Sequence, residues 1–239
     1  MSGYGQFCPI AKGAEVFAER WTPLLLRELL CGSHHFGELR QGLPRISQSL
    51  LVQRLRSLEQ AGIVQRRAPT AGRGWEYHLT EAGQEFAQVL ERLGEWGQRW
   101  AVDQLGPDDL DAGLLMWGMH RSVDVSRIPA RRVVIQFDFR GLPKERYWYI
   151  LKRPSVEVCL KDYGFEVDLF VNADLMALTK VHLGRLDMLQ AIEEGLVELD
   201  GPLQLRRAFP GWMGLNAFAK YGRPLPVAGN ATHQGSSWS

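Results

Sequence analysis

Cysteine is scarce in this 239-residue sequence, which contains only Cys8, Cys31 and Cys159. The three residues are far apart and show no paired spacing, so the sequence excludes a disulfide framework and a zinc ribbon. A fold that depends on neither is expected to belong to a reducing compartment.

Long apolar runs are also missing. No uninterrupted stretch approaches the ~20 residues that a membrane-spanning helix needs, and the first residues lack the charged-then-apolar layout of a signal peptide. Hydrophobic residues make up 45% and charged residues 23% of the chain, which is typical of globular proteins. We therefore expect a cytoplasmic protein without a membrane partner.

Recognisable catalytic motifs are absent as well. The sequence has no nucleophile motif, no glycine-rich phosphate loop and no evident pair of acids. His34 and His35 are adjacent in sequence, so they do not share one face of a helix as metal ligands would. The sequence therefore predicts neither an enzyme nor a site for a metal or cofactor.

The chain has almost no excess of charge overall, with a formal net charge of +1. Its charges are unevenly distributed, because residues 40–73 contain seven arginines and no lysine against the single acid Glu59. Residues 106–239 contain 16 basic and 16 acidic side chains, so the basic patch belongs to the first part alone. Such a concentrated patch indicates a surface that faces phosphates; the alternative is a solvated basic face on a protein-interaction domain.

Residues 47–61 have the pattern of a two-faced helix. Leu51, Leu55 and Leu58 recur at helical spacing and are expected to pack inward, whereas Gln53 and Arg56 project from the opposite side. Ser47 is a favourable N-cap, and Gly62 followed by Ile63 is a typical C-terminal stop. Amides, hydroxyls and a guanidinium on the outer face are groups that hydrogen-bond base edges and phosphates.

The flanking residues place this helix in a winged helix-turn-helix. A short helix at residues 36–41 and a turn at residues 42–45 precede it, and two alternating runs, residues 63–67 and 75–79, follow it around a glycine-rich loop. The second helix of such a motif reads bases, and the hairpin, or wing, contacts phosphate or the minor groove. The predicted contacts to double-stranded DNA are made by Arg45, Ser47, Gln48, Ser49, Gln53, Arg56, Arg66, Arg67 and Arg73. Arg54 is expected to be structural.

Several separated motifs in the first hundred residues resemble the HxlR-type winged-helix regulators of bacteria. They are Cys8-Pro-Ile, the run from Arg20 to Leu29, Phe36-Gly-Glu-Leu, Ile46-Ser-Gln with Leu55-Arg-Ser-Leu-Glu59, and the run from Glu76 to Gly83. The resemblance implies a homodimeric transcriptional regulator. Some members sense electrophiles or oxidants through a cysteine at the place of Cys8, where Lys12 one helical turn away would favour a thiolate. The alternative is that Cys8 is a small packed residue at a dimer contact.

A long helix capped by Thr80 is predicted to reach about Val102. Its apolar residues recur at three-and-four spacing: Phe86, Val89, Leu90, Leu93, Trp96 and Trp100. This stripe would cover either its own domain or, together with a first helix at residues 10–20, a two-fold partner.

The acidic run at residues 103–111, with Gly106-Pro107, predicts a domain boundary. We assign residues 1–105 to a DNA-binding and dimerisation domain, 106–112 to a linker, 113–220 to a second domain and 221–239 to a disordered tail. The second domain opens with a helix at residues 110–120. Strands are then predicted at residues 132–139, 146–151, 155–160, 164–171 and 196–199, with helices at 173–183, 187–194 and 202–209. This order indicates an α+β domain whose antiparallel-rich sheet is covered by helices.

The second domain resembles the sterol carrier protein type 2 family in Val171-Asn-Ala-Asp-Leu, Gly184-Arg-Leu-Asp187 and the run from Gly195 to Leu203. That family has a five-stranded sheet with helices around an apolar tunnel for lipid-like molecules. Large apolar residues of the predicted strands and helix would line such a pocket: Phe137, Phe139, Tyr147, Tyr149, Val158, Leu175 and Leu178.

Two functional hypotheses follow. In the first, a dimeric regulator reads a palindromic operator and an apolar small molecule in the second domain gates its DNA binding. In the second, the regulator still binds DNA, but its second domain is only a brace and Cys8 senses thiol-reactive compounds. A cavity among the predicted pocket residues would favour the first hypothesis, and a filled core would favour the second.

Overall fold

The computed structural model describes residues 3–69, 74–142, 145–161 and 164–222. Its N-terminal part has five α-helices and one hairpin: α1 (Pro9–Phe17), α2 (Thr22–Leu30), α3 (Phe36–Gly42), α4 (Gln48–Gln60), β1 (Val64–Arg67), β2 (Glu76–Leu79) and α5 (Glu81–Trp100). Two short 3-10 helices, Val102–Gln104 and Pro107–Asp109, lead into the C-terminal part. Within the described ranges, no helix is long and apolar enough to cross a membrane.

Helix α4, called the reader helix here because it is the helix predicted to read bases, forms as its sequence predicts. Ser47 is its N-cap, and the Ser47 hydroxyl accepts a hydrogen bond from the Leu50 amide at 3.3 Å. Gly62 follows the helix with a φ of 72°, a left-handed conformation that glycine adopts without a Cβ clash. Leu51, Leu55 and Leu58 are buried in the N-terminal core. The polar side of α4 is therefore left facing outward.

The start of the chain differs from expectation. Helix α1 ends at Phe17 rather than near residue 20, and Trp21, with a φ of 78°, is the N-cap of α2. Thr22, a residue type that often caps helices, is instead the first helical residue and is buried. The reason is a tight reversal between the two helices, in which the Thr22 amide donates to the Glu19 carbonyl at 2.9 Å.

Helix α5 presents two apolar surfaces where one stripe was predicted. Phe86 and Leu90 pack against the N-terminal core. Four other side chains of the stripe are about half exposed: Val89 (46%), Leu93 (48%), Trp96 (59%) and Trp100 (55%). They follow one another at intervals of four, three and four residues, so they lie along one side of the helix. Among the described residues, this apolar strip on α5 thus stays about half exposed.

The C-terminal part is an α+β layer, in agreement with the predicted fold class. Its elements are α6 (Ala112–His120), β3 (Val133–Phe139), β4 (Arg146–Lys152), β5 (Ser155–Cys159), β6 (Leu169–Ala173), α7 (Leu175–His182), α8 (Met188–Glu193), β7 (Val197–Asp200) and α9 (Leu203–Trp212), before a last 3-10 helix, Ala219–Tyr221. The sheet has five strands in the order β5-β4-β3-β6-β7. Its core lies between one face of the sheet and helices α6, α7, α8 and α9.

One strand pairing corrects the sequence-based expectation of successive antiparallel strands. The central pair, β3 with β6, is parallel, whereas the other three pairings are antiparallel. Strand β6 begins at Leu169 rather than at residue 164, because the chain first crosses from the β5 edge to the free edge of β3. Asp168 fixes the end of this crossing: its amide donates to the Val134 carbonyl, and its carboxylate accepts from the Val134 amide, both at 2.9 Å.

A buried carboxylate joins the two parts of the chain. Glu28 in α2 is 1% exposed and accepts hydrogen bonds from Arg27, from Ser33, and from Arg121 and Trp117 of the C-terminal part. The Arg121 Nη2 atom lies 2.7 Å from Glu28 Oε2. Burial alone would raise the pKa of Glu28, but the hydrogen bond from Arg121 and the charges of Arg27 and Arg121 hold the pKa below its ordinary value.

The neighbouring helix leaves room for this carboxylate only because residue 42 is glycine. A Cβ atom at Gly42 would overlap the side chain of Glu28.

A second contact between the two parts lies along α5, where Gln98 donates to the Leu183 carbonyl at 2.8 Å and Arg185 donates to the Gln98 carbonyl at 2.7 Å. The C-terminal part is thus attached to both α2 and α5.

The Glu28→Gln variant should be strongly destabilised. It leaves the guanidinium groups of Arg27 and Arg121 without their shared buried charge, and we expect the free energy of unfolding to fall by about 3–5 kcal/mol in urea titrations. Because the folded-state pKa of Glu28 is below its ordinary value, this contribution is present at neutral pH and is lost on acidification. The variant should therefore lose less stability than the wild type as the pH falls. Glu85→Gln, at an exposed position of α5, is the control; equal effects of the two substitutions would contradict the role given to Glu28.

Candidate nucleic-acid interface

The outer face of α4 is polar and open to solvent. All five side chains predicted to contact DNA from this helix and its cap are exposed: Ser47, Gln48, Ser49, Gln53 and Arg56. The two serine hydroxyls lie 3.2 Å apart at the start of the helix. The arrangement presents two amides, which donate and accept, and one guanidinium along a rigid rod. These are the side chains that make paired hydrogen bonds with adenine and guanine edges.

The wing lies beside this face and carries two arginines on β1. Arg67 is exposed. Arg66 is 48% exposed, its Nε atom is 3.7 Å from a Glu59 carboxylate oxygen, and its guanidinium lies 4.4 Å from the centre of the Trp75 ring. The aromatic ring and the carboxylate together restrict the position of Arg66. Arg73, the third predicted wing contact, lies outside the described residues.

Trp75 was missed by the sequence reasoning, which treated it only as the start of a strand. It precedes β2, and its side chain is 49% exposed. The signal that could have found it is an aromatic residue at the end of a basic, glycine-containing loop. Such a residue stacks readily on an arginine of the opposite strand.

Arg45 is the predicted contact whose surroundings differ most from expectation. Its Nη1 atom donates to the Asp108 carbonyl at 2.7 Å and its Nη2 atom to the Leu110 carbonyl at 3.0 Å. Its Nε atom is 4.0 Å from Asp111 Oδ2. The guanidinium next to the reader helix is therefore engaged by the linker, and its contact with DNA phosphate stays a prediction that requires these bonds to be exchanged.

Arg54, predicted to be structural, is structural. Its side chain is 14% exposed, and its Nη2 atom lies 2.7 Å from a Glu19 carboxylate oxygen. The Arg54 Nε atom also donates to the Arg20 carbonyl at 3.1 Å. This arginine connects α4 to the turn between α1 and α2, so it is not part of the exposed polar face of α4.

Comparison with known proteins agrees with this geometry. The model of the family described as HxlR-like helix-turn-helix matches residues 16–104. The chain is 34% identical over 97 residues to the HTH-type transcriptional regulator YvaP of Bacillus subtilis, a match that covers 40% of this chain and 90% of YvaP. It is 37% identical over 97 residues to the HTH-type transcriptional regulator sll1512 of Synechocystis, covering 40% of this chain and 72% of that protein. The chain belongs to the HxlR-like family.

The solved structure of the transcriptional regulator YodB from B. subtilis in its reduced form is also similar, with 31% identity, a TM-score of 0.36, and coverage of 40% of this chain and 96% of YodB. All of these matches cover about the same share of the chain, and the family match ends at Gln104. The HxlR-like part thus includes the reader helix, the wing and α5. The sterol-carrier resemblance of the remaining chain stays a prediction.

Most of the residues predicted to line a ligand pocket in the C-terminal part lie in its packed core. Phe137, Phe139, Tyr149 and Leu178 are at most 3% exposed and belong to the packed core. The Phe137 and Tyr149 rings, for example, lie 4.7 Å apart. Val158 is partly buried and packs against the same core. The alternating apolar pattern identified the inward face correctly but could not distinguish a filled core from a tunnel.

A cavity of about 730 Å³ lies instead at the end of the sheet, beside the linker. Of the seven predicted pocket residues, Tyr147 and Leu175 line it. Pro44 of the HxlR-like part and Leu110 and Asp111 of the linker region form its opposite side. The cavity is thus shared between the two parts of the chain.

Cys8, the predicted redox residue, is the N-cap of α1 and is partly buried. The Lys12 amide donates to the Cys8 carbonyl at 3.0 Å, as a residue one turn later should. The Lys12 ammonium, however, forms an ion pair with Glu15, with its Nζ atom 3.0 Å from Oε2. The charge expected to stabilise a Cys8 thiolate is therefore shared with a carboxylate, and thiol sensing stays a prediction.

Proposed function

We propose that the protein is a homodimeric transcriptional regulator that reads a palindromic site in double-stranded DNA with α4 and the wing. The exposed polar face of α4 beside Arg66 and Arg67 is the observation that carries this proposal. The local excess of arginine supplies attraction to phosphates, and the amides and Arg56 supply donors for base edges. The regulators among its relatives, YvaP and sll1512, support the same class of function.

The half-exposed apolar strip on α5 supports the dimer. Four large apolar side chains that are about half exposed on one helix are more than a single surface helix usually leaves in water. Phe7 and Ile10, at the start of the chain, are 99% and 80% exposed and provide further apolar surface. A two-fold axis that pairs two such strips would bury them and set the two reader helices about one turn of DNA apart, ~34–36 Å.

The C-terminal part is proposed to act on the HxlR-like part through its attachments to α2, α5 and Arg45. The filled sheet core favours a bracing role over the gating of DNA binding by an apolar or lipid-like molecule inside the sheet. This leaves the cleft beside the linker as the place where a ligand would reach the DNA-binding part.

Substitutions in the reader helix and the wing should have different effects on DNA binding. We expect Arg56→Ala to relax specificity at one base position, at a cost of ~1–3 kcal/mol, because it removes a direct base contact. Arg67→Ala should weaken binding to all sequences alike and lower the salt slope by about one, because it removes a phosphate contact. Binding is measured by fluorescence anisotropy on a duplex selected from a random pool and on unselected DNA.

The control is Arg92→Ala, at an exposed position of α5 where the side chain pairs with Glu95. It should leave both affinity and specificity unchanged. The reading face is assigned wrongly if Arg56→Ala keeps the ratio of affinities for selected and unselected DNA. Absence of any DNA binding by the wild-type protein would overturn the proposed function itself.

Charged substitutions in the α5 strip should separate the dimer. The Leu93→Glu, Trp96→Glu double variant would place four carboxylates at the proposed two-fold contact, and sedimentation should detect a monomer with little affinity for the selected duplex. Leu203→Glu, at a 52% exposed apolar residue of α9, is the control and should remain dimeric. An intact dimer in the double variant would move the contact to another surface.

A further inference from the structure

The cavity beside the linker has the size of a small-molecule site. Its volume of about 730 Å³ falls within the ~300–1,000 Å³ that such sites occupy. Its walls combine apolar and charged side chains and come from five separate segments of the chain. They include Leu110, Leu142, Leu160, Leu175 and Met176. The apolar body of a ligand would find enough surface here to be held out of water.

The polar groups of the cavity are dominated by three carboxylates: Asp111, Glu145 and Asp174. Two arginines, Arg140 and Arg146, also line it, but both are paired with other groups. Arg140 donates to the Gly195 carbonyl and lies 3.1 Å from Glu198, and Arg146 lies 2.9 Å from Asp138. Among the described residues that line the cavity, the carboxylates therefore outnumber the cations that are not paired with other groups.

Each carboxylate is fixed in position by its own hydrogen bonds. Asp111 caps α6 and Asp174 caps α7, each with its Oδ1 atom, at 2.8 Å and 2.7 Å from the amides they accept. Glu145 accepts a hydrogen bond from the Tyr147 hydroxyl at 3.1 Å. Burial, followed by the charges of Glu145 and Asp111, raises the pKa of Tyr147 well above its ordinary value. A buried hydroxyl at the cavity wall therefore lies in a negative potential.

Asp111 also connects the cavity to the reader helix. Arg45, whose Nε atom is 4.0 Å from Asp111 Oδ2, lies two residues before the N-cap Ser47. Leu110, whose carbonyl accepts from Arg45, is itself a wall of the cavity. A positive charge bound at Asp111 would compete with Arg45 for this carboxylate. Conversely, an Arg45 that turns to a DNA phosphate would leave Asp111 to a ligand.

We propose that the cleft between the linker and the C-terminal sheet binds a hydrophobic organic cation, an arylalkyl amine, with its ammonium group at Asp111, and that this ligand strengthens DNA binding by releasing Arg45. The proposal rests on the DNA-binding function proposed above. The coupling is reciprocal, because whatever factor the amine adds to DNA affinity DNA must add to amine affinity.

Binding of the amine is tested first without DNA, by calorimetry on the full chain. The probes are 4-phenylbutylamine, 4-phenylbutanol and 4-phenylbutanoate, which share one apolar body and differ in the polar group. We expect the amine to bind at least about ten-fold more tightly than the alcohol or the acid, as a charge-assisted hydrogen bond would give. Equal or tighter binding of the acid or the alcohol, or no binding of the amine, overturns the proposal.

Two variants locate the site. Asp111→Asn keeps an oxygen for the α6 cap and removes the charge, so amine affinity should fall about ten-fold. Its matched control is Asp187→Asn, at an exposed aspartate that caps α8 in the same way and lies outside the cavity lining. Leu175→Trp fills the cavity without changing its charge and should abolish binding. A normal circular dichroism spectrum is required of each variant, and unchanged amine affinity in either Asp111→Asn or Leu175→Trp overturns the location.

The coupling is tested by anisotropy on the selected duplex with and without 4-phenylbutylamine. The amine should lower the Kd for DNA in the wild type and in Asp187→Asn. It should have no effect in Arg45→Gln, which is still expected to bind the amine in calorimetry. An amine that binds without changing the Kd for DNA, or that raises it, overturns the release of Arg45. A protein that binds the amine but never binds DNA refutes the proposed function and the coupling while leaving the amine site standing.

Discussion

The arrangement of the two parts of this chain depends on one buried carboxylate. Glu28 lies on a helix of the HxlR-like part, yet two of its hydrogen-bond donors, Arg121 and Trp117, come from the C-terminal part. A buried acid is tolerated only where cationic groups and hydrogen-bond donors surround it. Each part therefore requires the other to keep the Glu28 carboxylate both buried and paired. The specific role of the network is to fix how the parts meet, since the same volume filled by apolar residues would serve stability alone at least as well.

This attachment also affects the contacts made next to the reader helix. Helix α2, which carries Glu28, packs on α3, and the turn after α3 leads through Arg45 into α4. The carbonyl groups of Asp108 and Leu110 accept hydrogen bonds from Arg45, so the guanidinium next to the reader helix is held by the segment that leads into the C-terminal part. The segment that leads into the C-terminal part is therefore connected to the start of α4 through a single side chain.

The local features of the fold were largely predictable from sequence because they arise from short-range physics. The cap of α4 at Ser47, its stop at Gly62 and its leucine face follow from spacing and backbone preference. The left-handed Trp21 and the parallel pairing of β3 with β6 depend instead on long-range packing, which the periodicity of a sequence does not reveal. The same holds for the candidate site: the exposed face of α4 could be read from the sequence, but the engagement of Arg45 by Leu110, 65 residues away, could not. A filled core and a tunnel require the same apolar residues. The sequence therefore could not predict that the cavity lies beside the linker and not inside the sheet layer.

Gly94 in α5 restricts how freely the HxlR-like part can be exchanged among its relatives. A Cβ atom at this position would come within 2.4 Å of the Phe218 ring, which the C-terminal part lays against the helix. Nothing in the winged-helix fold itself requires a glycine there, since the helix backbone is regular and an alanine would suit it better. A winged-helix domain transplanted from a shorter relative such as YvaP would thus dock correctly only if it also brought a glycine to this point. The two parts have separate hydrophobic cores, but the residues where they contact each other must match.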